Sequence, residues 1–96
     1  MLVWAIYDIT SDKARRKIVK ACKKAGLYRV QKSVFLGNIE PNDLDELYLF
    51  SSEQINPKTD SVYIFQMTEK NFKATKTLGL AFDKDLVTDE IRELFL

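Results

Sequence analysis

A chain of 96 residues with 46% hydrophobic and 30% charged side chains is an ordinary globular composition, expected to form one domain over residues 1–96 with a single modest core. Histidine is absent and Cys22 is the only cysteine, which excludes Ser-His and Cys-His triads, histidine bases, histidine zinc sites and an intrachain disulfide. The net charge of +1 hides a division: residues 1–39 carry nine cations against two carboxylates (+7), whereas residues 40–96 carry six against twelve (−6). Such asymmetry points to one defined polyanion-binding face on an acidic body; the plainer alternative is a solvated helix face.

The first element is Leu2-Val3-Trp4-Ala5-Ile6-Tyr7-Asp8-Ile9, an apolar run stopped by Thr10-Ser11-Asp12. Its length and its β-branched and aromatic content predict a strand over 2–9. Alternation puts Leu2, Trp4, Ile6 and Asp8 on one face and Val3, Ala5, Tyr7 and Ile9 on the other, so the strand is central and covered on both sides. A carboxylate ending a covered strand must be solvated, paired or bound to a cation, because an uncompensated buried charge is too costly. The run lacks a basic region before it and is too short to span a bilayer, so no signal peptide, anchor or membrane partner is expected and the location is cytoplasmic.

Ser11 or Thr10 caps a predicted helix over 12–25, which Gly26 stops. Ala14, Ile18, Ala21, Cys22 and Ala25 make its apolar stripe, with Cys22 read as core. Lys13, Arg15, Arg16, Lys17, Lys20 and Lys24 share the remaining circumference and form the candidate nucleic-acid-binding face, for RNA or double-stranded DNA. Two short strands are predicted over 28–31 and 33–36, the second ended by Gly37-Asn38. Pro41 opens a helix over 41–53, and Asn56-Pro57 precedes a strand over 61–67 that is apolar on both faces. In the tail, 77–80 reads as a short fifth strand able to pair with a partner's sheet edge, and Thr88 caps a helix over 88–95.

The order strand, helix, two strands, helix, strand is the ferredoxin-like α+β pattern, βαββαβ with a short C-terminal extension. Two helices cover one sheet face only. The other, carrying residues such as Tyr63 and Phe65, is expected to be buried in a homodimer.

Tyr7-Asp8-Ile9, Asp12, Arg15, the basic helix ending in Gly26 and above all Arg29-Val30-Gln31-Lys32-Ser33-Val34-Phe35 resemble the second CRISPR-associated protein family, over residues 1–37. The resemblance implies a ferredoxin-like homodimer with Asp8 of each subunit near the twofold axis, holding a divalent cation, normally Mg2+. It further implies a metal-dependent endonuclease acting on RNA or DNA in antiviral defence. The alternative is a non-catalytic DNA-binding scaffold that bridges the CRISPR integrase subunit in spacer acquisition. By position, Tyr7, Asp8, Arg15, Arg29, Ser33 and Phe35 match residues tied to activity, with Asp8 the metal ligand. Lys17 stands where the family commonly has arginine, which loses bidentate phosphate contact. From the residues alone, Asp8 as a turn acceptor, Tyr7 and Phe35 as core and Ser33 as a backbone partner remain open. Magnesium suits a chain without histidine, since it takes oxygen ligands and supports phosphodiester cleavage. A small RNA-binding domain is the third reading; it needs aromatics free on the sheet for stacking, and the dimer would bury them.

Overall fold

The computed structural model describes residues 1–79. Its elements are β1 (Leu2–Asp8), α1 (Asp12–Lys24), β2 (Tyr28–Gln31), β3 (Val34–Asn38), α2 (Pro41–Gln54), β4 (Ser61–Met67) and α3 (Glu69–Lys73). The strands form one antiparallel sheet in the order β2-β3-β1-β4. β1 lies inside the sheet, as an apolar strand must, and the fold is the ferredoxin-like α+β arrangement.

α1 begins where the Ala14 amide donates to the Ser11 side chain (3.2 Å), a conventional N-cap. It ends in a Schellman turn. Gly26 adopts φ 92°, its amide donates to the Lys23 carbonyl, and the Leu27 amide donates to the Cys22 carbonyl, both at 3.0 Å. This turn settles on Gly37, where a Cβ would lie 3.1 Å from the Gly26 carbonyl oxygen and 3.2 Å from Leu27 Cα. The expected end of the third strand at Gly37 is therefore corrected: β3 continues to Asn38, and the missing side chain admits the chain leaving α1.

One sheet face packs under α1 and α2. Val3, Ala5, Tyr7, Ile9 and Phe35 are buried there with Ile18, Cys22, Leu27 and Leu47. Each large side chain removed from water in this way contributes about 1.5–3 kcal/mol.

The opposite face has a cover that the sequence pattern does not announce, because five residues are too few to display a helical period. α3 is capped by Thr68, which accepts from the Asn71 amide at 3.0 Å, and Glu69 pairs with Lys73 at 3.1 Å. It drops Phe72, 1% exposed, onto Trp4 with ring centres 6.0 Å apart, closing a second cluster with Leu2 and Leu36. The expectation of a face bare from end to end is thus corrected. It is bare beyond α3 only, where Tyr63 is 63% and Phe65 45% exposed. Residues 77–79 run without a strand, while residue 80 and the helix expected over 88–95 lie outside the described residues. Among the described residues, no helix is long and apolar enough to cross a membrane.

Candidate functional site

Asp8 ends β1 opposite Ser61 of β4, on the face that also carries Trp4 and Ile6. It is exposed, and among the described residues its carboxylate has no hydrogen-bond or ion-pair partner. Of the three states open to a strand-end carboxylate, pairing with a described residue is excluded, and an exposed position suits either water or a cation. Among the described residues no three His, Cys, Asp or Glu side chains converge. Among the described residues, Asp8 is therefore part of no larger cluster of protein ligands. That donor set suits a hard cation that retains waters and uses one or two protein carboxylates, and does not suit zinc.

The loop after Asp8 is pinned from both sides. Arg15 donates through Nη1 to the Ile9 carbonyl (3.1 Å) and through Nη2 to Asp12. Thr10 donates its amide (3.0 Å) and hydroxyl (2.7 Å) to Asp60 Oδ1, and Asp60 Oδ2 accepts from the Asn56 amide at 2.9 Å. The Thr10 hydroxyl, then the Thr10 and Asn56 amides, hold the Asp60 carboxyl well below the usual carboxylate range. Asp60 is a site residue that sequence reading misses. An aspartate just before a strand reads as turn chemistry, and its partner Thr10 lies fifty positions away in the chain.

The segment Arg29 to Phe35 is organised around one backbone atom. The Lys32 carbonyl accepts from the Tyr7 hydroxyl at 3.0 Å and from Arg29 Nε and Nη2 at 3.1 and 2.6 Å. The Tyr7 amide donates to the Ser33 carbonyl at 3.1 Å, the Tyr7 and Phe35 rings stack at 6.3 Å, and the Arg29 guanidinium lies 5.9 Å over Phe35. Tyr7, Arg29, Ser33 and Phe35 are thus brought together. Tyr7 and Phe35 are buried, and what this group visibly does is lock the β2–β3 turn against β1. Asp8 stands apart from it, since consecutive strand residues point to opposite faces. Arg15 belongs with Asp8 through the shared loop.

The cations expected to form one face divide between two. Lys17, Lys20 and Lys24 line a groove of about 500 Å³ between α1 and α2, which Asp43 and Glu46 also line. Arg15, Arg16, Lys20, Lys23 and Arg29 line a cleft of about 330 Å³ between α1 and β2. Lys13 is exposed and lines neither. Lys23 lies on α1 itself, whereas Arg29 joins the basic surface only through the turn that brings β2 back beside the helix.

Sheet, strand-end carboxylate and cationic helix define the class: a small ferredoxin-like α+β domain with an exposed aspartate ending its inner strand and a helix rich in lysine and arginine. The chain belongs to the CRISPR associated protein Cas2 family, whose family model matches residues 1–75. A "CRISPR-associated endoribonuclease Cas2" of Desulforudis audaxviator is 36% identical over 75 residues, covering 78% of this chain and 71% of that protein. Another of that name from Thermotoga maritima is 34% identical over 85 residues, covering 88% and 95%. Among solved structures, Streptococcus pyogenes Cas2 at pH 6.5 superposes with a TM-score of 0.70 at 28% identity, covering 82% of this chain and all of that one. The Thermus thermophilus protein TT1823 gives 0.69 at 26% identity, covering 83% and 92%.

Proposed function

We propose that this chain is a magnesium-dependent endonuclease that cuts phosphodiesters within CRISPR antiviral defence, and that it works as a homodimer. The observation that carries this reading is Asp8: an exposed carboxylate without a partner among the described residues, on the sheet face where Tyr63 and Phe65 are exposed. Face-to-face packing of two copies through Tyr63 and Phe65 buries that apolar surface and draws the two Asp8 side chains toward a common axis. Two carboxylates then stand where one chain supplies one. The relatives' name, endoribonuclease, favours RNA over DNA as substrate.

Magnesium, when bound, supplies charge to the phosphoryl oxygens and acidifies its waters. The remaining work falls to side chains of this protein. Asp8 provides the anionic oxygen. Arg15, Thr10 and Asp60 fix the loop that follows Asp8, and Tyr7 and Arg29 hold the turn on the far side of β1. The cations of α1 hold the phosphate backbone without reading sequence. A scaffold that binds DNA and bridges the integrase subunit is the second reading, favoured by the basic surface reaching Lys23 and Arg29 beyond the loop that holds Asp8.

Asp8→Asn tests the proposal, since it keeps shape and removes charge. Magnesium-dependent cleavage of labelled RNA and DNA is expected to vanish while binding in EDTA persists. Full cleavage by the variant would sink the metal assignment. A parent chain that binds and never cleaves would leave the scaffold.

A further inference from the structure

The two cationic surfaces flanking α1 differ in a way that their lysine and arginine content does not reveal. In the groove against α2, Lys17, Lys20 and Lys24 share space with Asp43 and Glu46, so most of their positive charge is offset within the same concavity. In the cleft against β2, the five cations Arg15, Arg16, Lys20, Lys23 and Arg29 surround Val19, and no carboxylate among the described residues lines it. Of these five, Arg15 is the one with a described ion-pair partner, Asp12. A concave surface of one sign concentrates its field, whereas a mixed one cancels it.

The geometry also sets a direction. Arg16, Lys20 and Lys23 are spaced four and three residues apart, which stacks them on one side of the helix along about 10 Å of axis. Arg29 extends that row from β2. Its Nε and Nη2 are fixed on the Lys32 carbonyl, so its remaining N–H groups are held with little rotamer entropy left to lose.

We propose that the α1–β2 cleft, and not the α1–α2 groove, is where this protein grips nucleic acid: the phosphodiester backbone runs along Arg16, Lys20, Lys23 and Arg29. This rests on the reading that the chain acts on nucleic acid, and it gives that reading a route for the strand. Lys23, absent from the residues singled out by sequence, becomes a backbone contact. Lys17 and Lys24 become mainly partners of α2.

Two double variants remove the same charge from exposed positions, Arg16→Ala with Lys23→Ala and Lys17→Ala with Lys24→Ala. Binding of a labelled DNA duplex is followed by anisotropy across a salt series in EDTA, with thermal melts confirming that both variants fold. The first pair is expected to flatten the slope of log affinity against log salt by about two units, the second by less than one. Equal flattening, or a larger loss from Lys17 and Lys24, overturns the proposal. So does competition by inorganic phosphate beyond a chloride control of matched ionic strength, which would mark a site for free anions. A parent chain with no salt-dependent binding overturns the cleft and the nucleic-acid reading together. A parent that binds with the expected slopes but never cleaves with magnesium upholds the cleft and removes only the nuclease.

Discussion

The two faces of the sheet are built from the same strands and are finished to different degrees. Under α1 and α2, Val3, Ala5, Tyr7 and Phe35 meet two full helices, and the apolar surface is closed within the chain. On the other face a five-residue helix covers Trp4 and Leu36 with Phe72, then stops, leaving Tyr63 and Phe65 in water and Asp8 at the open end. The difference teaches how far one short chain closes its own surface. The described residues complete one core and leave the second partly open, and among them Asp8 is the only carboxylate that ends a strand, at the edge of the open part.

The comparison is sharpened most by truncating its two buried aromatics. Phe35→Ala is expected to cost about 3–5 kcal/mol, because it opens a cavity in the closed core and also removes the ring beneath Arg29 and beside Tyr7. Phe72→Ala is expected to cost about 3 kcal/mol and to release α3, since Phe72 is the buried residue of that five-residue helix. Urea melts measure both; an effect of Phe72 as large as that of Phe35 would mean that the second face is as closed as the first.

Next in size is the association of the bare patch. Tyr63→Glu with Phe65→Glu is expected to change single-chain stability by no more than about 0.5 kcal/mol per site, as exposed substitutions usually do, while converting dimer to monomer in light scattering. An unchanged dimer would mean that the face is bare for another reason.

The smallest effects are in pH. The carboxyl of Asp60 is lowered in the fold, so the stability it contributes is present above the ordinary carboxylate range and is lost as pH falls below about 4. Asp60→Asn should remove that part of the acid sensitivity and loosen Thr10. Burial pushes the Cys22 thiol up to about 11, so its contribution is lost in the opposite direction, as pH rises from about 9 toward that value. Thermal melts across pH resolve both. The same burial predicts that Cys22 reacts with a thiol reagent only on unfolding; rapid labelling of the folded chain would show that the closed face opens.

The sequence by itself determined the six main elements and their order, because short apolar runs in Leu2–Asp8 and Ser61–Met67 and a period of about 3.6 in Asp12–Lys24 are written locally. It also determined the inner place of β1 and a capped start of α1 at Thr10 or Ser11, since each depends on neighbours a few residues away. Tertiary structure alone decided what depends on distant neighbours. Thr10 meets Asp60 across fifty positions, and one carbonyl at Lys32 gathers Tyr7 and Arg29. Phe72 finds Trp4 through a helix too short to leave a pattern. The charges of α1 divide into an acid-lined groove and a cleft that no described acid lines, according to which element packs on each side. A strand or helix announces which residues share its face, but the partner of that face is set by packing, whose contacts join residues that no sequence window contains.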